Sequence, residues 1–319
     1  MKLSLVIPVY NEENNLLLLY QAIHSAMDPI NYDWKIIFVD DGSSDGSISV
    51  LKELAQKDCR HVQVIVFRRN YGQTAAISAG IDHSDGDIVI LMDADLQNDP
   101  ADIPIILEKM NEGYDMVSGW RENRKDPFLS RIVPSRIANG LISWVTGVHL
   151  HDYGCTLKAY RREILSGFRL YGEMHRFIPA YVHAAGGRIA EIAVHHHPRK
   201  YGKSKYGLER TLKVLLDLST VKFLLSYSVS PIYIFGGVGI GMISIGAVTL
   251  LFLAVRRIFF STSVLGSPFF LLSMMVFALG FQTILMGLLA ELLMRTYHET
   301  LDKPTYTIRE MINETSGQR

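Results

Sequence analysis

The sequence predicts an α/β domain built on a mainly parallel sheet, followed by amphipathic helices and a two-helix transmembrane hairpin. Three observations carry this. Short apolar runs alternate with helical patterns from the first residue to about residue 120, acidic pairs stand directly after two of those runs, and between Val229 and Met294 only Arg256, Arg257 and Glu291 are charged.

The elements follow in order. LSLVIPVY is an apolar run, NNLLLLYQAIHSAM an amphipathic stretch, WKIIFVDD a second run, and SISVLKELAQK a second helix; VQVIVF, QTAAISAGIDH and DIVILMDAD repeat the pattern. Continuous apolar runs separated by helices are the mark of parallel strands covered on both faces. Ligands of such sheets bind at the carboxyl ends of the strands. Asp40 and Asp41 follow IIFV, and Asp93 and Asp95 follow IVILM, so both pairs are placed there. One pair alone would read as a solvated turn, where Asp is common; two at equivalent strand ends point to a site.

Residues 132–147 carry little charge and fit a helix that either packs on its own domain or lies at a membrane interface. From Gly207 to Leu225 a stripe of Leu208, Leu212, Leu215, Leu218, Val221 and Leu225 recurs at helical spacing, with Glu209, Lys213 and Asp217 opposite. Such a helix beside a bilayer segment lies in the interface plane. The stretches 229–255 and 268–294 each exceed the ~20 apolar residues that a bilayer core requires. The expected organisation is therefore a soluble domain over 1–206, a juxtamembrane helix over 207–226, two spans within 227–295 and a tail over 296–319. A hairpin returns the chain to its starting side. Lys203, Lys205, Arg210, Lys213, Lys222, Arg295, Lys303 and Arg309 stand on that side, against Arg256 and Arg257 in the expected connecting loop. The positive-inside rule then puts the domain and both termini in the cytoplasm, with the protein integral to the cytoplasmic membrane. Gly237 and Gly241 form a GxxxG suited to close helix contact or homo-oligomerisation.

Composition agrees with two unlike parts. The 319 residues are 48% hydrophobic and 20% charged, but outside residues 229–294 the charged share rises to about 24%, near the usual ~25% of globular domains. Thirty-two basic residues balance 32 acidic ones, which argues against a nucleic-acid partner. Two cysteines, Cys59 and Cys155, make no disulfide framework and suit a reducing compartment. MKLSLVIPVY is broken by Ser4 and Pro8 and lacks a cleavage site, so it is expected to be a first strand and not a secretion signal.

The most specific local feature is Asp93-Ala94-Asp95-Leu96-Gln97. Two carboxylates two residues apart on extended backbone point the same way, so that one grips a hard divalent cation and the other a sugar or ribose hydroxyl. Mg²⁺ favours few carboxylates plus substrate phosphate oxygens.

With its neighbours, this motif resembles the family 2 glycosyltransferases of the GT-A (Rossmann-like) fold. SLVIPVYNEENNL is similar to that family's first strand and base-binding loop, FVDDGSSDGS to its second, RRNYGQTAAISAGI to its third element and DADLQNDP to its metal motif. GEMHRFIPA and RKYGKSKYG resemble motifs of the subgroup that glycosylates a polyisoprenyl phosphate, including bactoprenol glucosyltransferases and dolichyl-phosphate mannose synthases. No QxxRW occurs, which sets the chain apart from the processive branch. The resemblance implies that Pro8, Tyr10, Glu12, Asp40 and Asn70 hold the nucleoside side of a nucleotide sugar. It implies that Asp93, Asp95 and Gln97 gather diphosphate and metal, Mg²⁺ or Mn²⁺. For Asn70 to Ala79, a capped helix of small, closely packing residues is equally compatible. Glu173, His175 and Arg176 resemble the family's active-site loop.

The implied reaction is an inverting transfer of one sugar to a lipid phosphate, which must bring two anions together. A phosphate monoester with its second pKa near ~6 is already largely ionised, so no strong base is required, but fixed cations are. Arg121, Arg131, Arg199, Lys203 and Lys205 are the candidates, against the alternative of a juxtamembrane basic patch for the last three. Asp152 is the candidate for orienting the acceptor or for residual base work, with turn capping as the competing reading. His195-His196-His197 reads as a strand end, since alternation sends His196 away from its neighbours. Glucose from UDP-glucose onto undecaprenyl phosphate is the expected reaction. Mannose from GDP-mannose, a UDP-amino-arabinose donor, and a non-catalytic membrane scaffold that binds nucleotide sugar are the alternatives.

Overall fold

A computed structural model describes residues 1–122, 133–165, 170, 174–198, 218, 232–260, 267–299 and 305–313. The expected cations Arg131, Arg199, Lys203 and Lys205, Glu173, and all but Leu218 of the 207–226 helix lie outside the described residues.

The chain divides into two compact units, Met1–Val221 with Pro304–Arg319, and Lys222–Lys303. In the first, β1 (Lys2–Val9), β2 (Asp33–Asp40), β3 (Val62–Phe67) and β4 (Ile88–Leu91) alternate with α1 (Glu13–Met27), α2 (Ser47–Lys57) and α3 (Gln73–Asp82). Then come α4 (Ile103–Asn111), β5 (Met116–Trp120), α5 (Val133–Thr146), β6 (Lys158–Arg161), α6 (Arg162–Leu165), α7 (Ile178–Ala184) and β7 (Ile189–Ala193). After the second unit, β8 (Ile308–Ile312) completes one sheet of order β7-β5-β6-β4-β1-β2-β3-β8.

β1 sits at the centre, parallel to β2 and β4, with Val9 level with Asp40. That register brings the chain ends after β1 and β2 to one edge. β1, β3, β4 and the second half of β2 are mostly apolar and almost fully buried, as strands covered on both faces require, whereas the outer strands β7 and β8 are only partly buried. α1 buries Leu16, Leu19, Ile23 and Met27, a stripe at steps of three and four, and leaves Leu17 and Leu18 outside. α3 buries Ala75, Ala76, Ser78, Ala79 and Gly80, and Gly80 lies against the Val6 side chain. Small residues let this helix approach the sheet closely.

Three strand pairs are antiparallel, and periodicity had marked none of them. β6 is wedged between β4 and β5, and β8 lies on the outer edge of β3. The tail was expected to stand apart; instead its Ile308–Ile312 segment is an edge strand. Tyr306 stacks on Phe67 at 5.1 Å and donates its hydroxyl to Asp82 at 2.9 Å. Lys52 pairs with Glu310 at 2.7 Å, and Asn313 donates to Ala55 and Val62 carbonyls. An edge strand five residues long owes its place to partners some 245 positions earlier, which leave no local trace in the sequence.

The second unit contains α8 (Ile232–Phe260) and α9 (Pro268–Glu299). Their segments Phe235–Phe259 and Pro268–Ala290 are long and apolar enough to cross a bilayer, and few of these residues are buried, unlike the core helices of soluble proteins. α8 continues to Phe260, so Arg256 and Arg257 belong to its last turns and not to a loop. The helices touch through Gly239, Gly246 and Gly280: a Cβ on Gly239 would stand 2.6 Å from the Gly280 carbonyl oxygen. Gly237 and Gly241, the GxxxG pair, have no such neighbour among the described residues. At 100° per residue, Gly237 sits on nearly the opposite face from Gly239.

Candidate active site

The carboxyl ends of β1, β2 and β4 carry the loops expected to bind ligand. After β1, Tyr10 is exposed and Asn11 adopts φ +54°, which turns the chain into α1. The Asn11 and Glu12 amides donate to the Ser43 and Ser47 hydroxyls at 2.9 Å, and the Ser44 amide donates to Asn11 Oδ1 at 2.8 Å. The loop after β1 and the loop after β2 are thus one hydrogen-bonded unit. Glu12 accepts from Asn15 Nδ2 at 2.6 Å, so its carboxylate is directed along its own helix. Pro8 lies within β1, paired with Val39.

Asp40 is fully buried at the end of β2. Its Oδ2 accepts from the Ser43 amide at 3.1 Å, while Oδ1 is buried with no hydrogen-bond partner among the described residues. An orphaned carboxylate oxygen is costly unless something outside the protein donates to it. Burial raises the Asp40 pKa, against the lowering effect of Ser43. Asp41 has another task, one the sequence had not assigned. Its two oxygens accept from the Tyr71 and Gly72 amides at 2.6 and 2.9 Å, tying the loop before α3 to the loop after β2. Burial pushes this carboxyl up to about 6 in spite of those bonds. The two loops meet so closely that a Cβ on Gly42 (φ +69°) would lie 2.6 Å from the Arg69 carbonyl carbon. Asn70, exposed, is part of that contact.

β4 ends at Leu91, so Asp93 and Asp95 lie beyond the strand and the alternation argument does not reach them. Leu96 bends the chain with φ +60°, and the Gln97 amide closes on Asp95 Oδ1 at 3.1 Å. Asp93 accepts from Gln73 Nε2 and from the Thr156 hydroxyl, both at 2.8 Å. The first carboxylate is therefore part of a fixed network, and the buried second one lies in a bend. Oxygen donors of this kind suit a hard divalent cation, with Asp95 the ligand candidate and Gln97 beside it. Further support comes from outside: the His197 amide donates to the Gln97 carbonyl at 2.9 Å, His196 bridges Asn98, and His195 and His197 bond Asp102 and Asp99. The three histidines thus dock the segment after β7 onto the one after β4.

Arg121 and Asp152, named separately from the sequence, form one bidentate pair. Arg121 Nε and Nη2 donate to the two Asp152 oxygens at 2.6 and 2.9 Å, and the Gly154 amide adds a contact at 3.1 Å. Both Asp152 oxygens are thus engaged, and the guanidinium is held in a fixed plane. Next to the pair, His151 stacks on Trp120 at 4.4 Å. A cleft of about 410 Å³ opens between α5 and this loop, lined by Asn139, Ser143, Trp144, His149, Leu150 and His151. Trp144 is 81% exposed at its rim. His175 is buried against Thr74 Oγ1 at 2.6 Å, joining the turn Met174–Phe177 to the start of α3.

Comparison with known proteins places this geometry. The model of glycosyl transferase family 2 matches residues 4–168, a span from β1 to α6 that includes Pro8, Asp40, Asp95, Arg121 and Asp152 and ends before His175. The chain belongs to glycosyl transferase family 2. It is 40% identical over 319 residues, 99% of this chain and 94% of the relative, to a dodecaprenyl-phosphate galacturonate synthase of Rhizobium johnstonii. It is 39% identical over 97% of its length, and 90% of the relative, to an undecaprenyl-phosphate 4-deoxy-4-formamido-L-arabinose transferase of Pseudomonas paraeruginosa. Among solved structures, the transferase resembles mannosyl-3-phosphoglycerate synthase of Rubrobacter xylanophilus with TM-score 0.57 and 16% identity, covering 70% of this chain and 74% of that one. Glucosyl-3-phosphoglycerate synthase of Mycobacterium tuberculosis, in complex with Mn²⁺ and UDP-glucose, matches with TM-score 0.52 and 18% identity over 70% and 78%. These two likenesses establish the GT-A fold of the domain.

Proposed function

We propose that this transferase moves one sugar from a UDP-sugar onto a polyisoprenyl phosphate at the cytoplasmic face of the cell membrane. The observation that carries the acceptor is the whole-length likeness to lipid-phosphate sugar transferases, which extends through both apolar helices and the tail. A match of the α/β domain alone would say nothing about the lipid. The sheet supports the topology: β1 and β8 belong to one sheet although the hairpin lies between them in sequence, so the helices cross an even number of times and both termini share a side.

In this reading the orphaned Asp40 oxygen accepts from the uracil N3–H, and Asp95, with Gln97, holds a divalent ion. When bound, that ion neutralises the diphosphate as a Lewis acid. Arg121, its plane fixed by Asp152, faces the reacting phosphates, and the cleft beside Trp144 takes the first isoprene units. Arg131, Arg199, Lys203 and Lys205 complete the acceptor's counter-charge; Arg199 follows His197 by two residues. A lipid phosphate oxygen attacks the anomeric carbon as the bond to UDP breaks and its electron pair leaves with the diphosphate. The attacking oxygen is already ionised, so no base is drawn from the protein. The relatives' names put galacturonate and 4-deoxy-4-formamido-arabinose beside glucose as the sugars to compare. Purified full-length protein is incubated with each UDP-sugar, with GDP-mannose as the alternative donor, and with a short polyprenyl phosphate, with and without Mg²⁺ or Mn²⁺. A metal-dependent lipid-linked sugar from one UDP donor is expected, and its loss in Asp95→Asn. No lipid product with any donor would overturn the reading.

A further inference from the structure

At the far end of α1, three side chains from three different segments converge. His24 stands in the last turn of α1, Asp58 caps the end of α2, and His61 begins the approach to β3. His24 Nε2 lies 3.1 Å from Asp58 Oδ2, and His61 Nδ1 lies 3.1 Å from both Asp58 oxygens. One nitrogen of each histidine and an Asp58 oxygen all lie within 4.8 Å of one another. Among the described residues this is the one group of three or more His, Cys, Asp or Glu side chains gathered so closely. It is also remote from the candidate active site: α1 rises ~1.5 Å per residue, which puts His24 roughly 16 Å along the helix from the loop after β1.

We propose that His24, Asp58 and His61 form a second metal site, for Zn²⁺, separate from the sugar-transfer centre. Four observations support it. Imidazole nitrogen and carboxylate oxygen are Zn²⁺ ligands, and two histidines with one carboxylate leave a fourth position for water. Bonds of ~2.0–2.1 Å in a tetrahedron separate ligand atoms by roughly 3.3 Å, close to the 3.1 Å between the two nitrogens and Asp58. The outer partners are in place: His24 Nδ1 lies 3.1 Å from Asp28 Oδ2, the carboxylate–histidine arrangement that orients a metal-bound imidazole, and the Tyr20 hydroxyl donates to Asp58 at 3.2 Å. Finally, the rings are held before any ion arrives. Trp34 stacks on His61 at 4.3 Å and meets His24 edge-on at 4.8 Å, while Tyr20 packs on His24 at 4.4 Å.

A purely hydrogen-bonded cap would need only one of these histidines, since the His61 amide already closes on Asp58 Oδ1 at 3.0 Å. The side chains of His24, Asp58 and His61 are 22%, 13% and 21% exposed, so the site opens to solvent on one side and an ion has a way in. Bound Zn²⁺ displaces the protons that the two rings otherwise direct at Asp58. It clips the end of α1 to the turn between α2 and β3.

The test uses full-length protein stripped with chelator and titrated with Zn²⁺ against a chromophoric competitor, in wild type and in Asp95→Asn so that the transfer centre is counted separately. In both backgrounds one Zn²⁺ equivalent is expected to disappear with His24→Ala/His61→Ala. Asp28→Asn should weaken that equivalent by about 10–100-fold, the usual effect of losing an outer-shell partner. Sugar transfer at saturating Mg²⁺ should stay at the wild-type level in His61→Ala. The wild-type protein provides a second readout that needs no variant: stoichiometric Zn²⁺ should protect His24 and His61 from diethyl pyrocarbonate, read by mass spectrometry. Equal Zn²⁺ stoichiometry and affinity in wild type and double variant, or no protection of either histidine, would overturn the proposal.

Discussion

Truncating Asp152 is the sharpest probe of the candidate acceptor side. Asp152→Ala removes two bonds from the Arg121 guanidinium, whose side chain is only 15% exposed. Removing one partner of a buried ion pair costs about 3–5 kcal/mol. Arg121 retains some contact with solvent, so the lower end, about 3 kcal/mol, is expected. For a unit of this size each kcal/mol moves the melting temperature by ~2–4 °C, giving a fall of roughly 6–12 °C. Arg121→Ala should cost a similar amount, because it takes the ion-pair partner from the more deeply buried Asp152, 3% exposed, which keeps the Gly154 amide. Asp152→Asn keeps one acceptor oxygen and should fall between wild type and alanine. The assay is thermal unfolding of the purified full-length protein, with steady-state transfer measured in parallel. If Asp152 positions Arg121, both single variants lower kcat, the double variant is little worse than either, and Asp152→Asn leaves the shape of the pH–rate profile intact. Effects of Asp152→Ala and Arg121→Ala that add within about 0.5 kcal/mol, or loss of one limb of the profile in Asp152→Asn, would refute this assignment.

Gly42→Ala forces a side chain onto a φ of +69° and against the Arg69–Asn70 backbone; strain and overpacking together should cost about 2–5 kcal/mol, with weaker UDP binding, measured by melting and calorimetry. Ionised Asp40 accepts from a base N–H more strongly than the neutral carboxyl does, and its raised pKa moves the weakening of that bond to higher pH than for an ordinary carboxylate. Metal-free uridine binding should therefore weaken as pH falls, beginning above the usual carboxylate range, and Asp40→Asn should abolish this dependence; a wild-type profile flat to pH 4 would count against the contact. At the sheet edge, Tyr306→Ala removes a side chain only 8% exposed together with its stacking on Phe67, for about 3–5 kcal/mol, whereas Tyr306→Phe keeps the ring and loses the hydroxyl's bond to Asp82, about 1 kcal/mol. Hydrogen exchange along β3 and β8 should rise in the first variant and barely change in the second.

The parts legible in the sequence are those in which each residue's neighbours in the chain are also its neighbours in space. The buried stripe of α1, the continuous apolar runs of β1 to β3, and the two long apolar helices all obey a short period, and the structure has them close to where the pattern set them. The Asp40 and Asp93–Asp95 clusters were legible for a related reason: a parallel sheet puts all its carboxyl ends at one edge, so position in the chain becomes position at the site. What failed locally failed by extending a period too far. Alternation stops at Leu91, and Leu96 turns the Asp93–Gln97 segment into a bend; within the hairpin Gly239 and Gly280 make the contact, and the GxxxG pair Gly237 and Gly241 does not.

By itself, then, the sequence determined the α/β alternation, the strand ends that bear carboxylates and the presence of a hairpin, because hydrophobic burial writes its period directly into the chain. Only the tertiary structure decided which residues are partners across it. It joined Arg121 to Asp152, assigned Asp41 to the Tyr71 and Gly72 amides, brought Ile308–Ile312 to the edge of β3, and gathered His24, Asp58 and His61 at one point. Such pairings depend on distances fixed by the packing of whole elements, and no periodic signal along the chain records them.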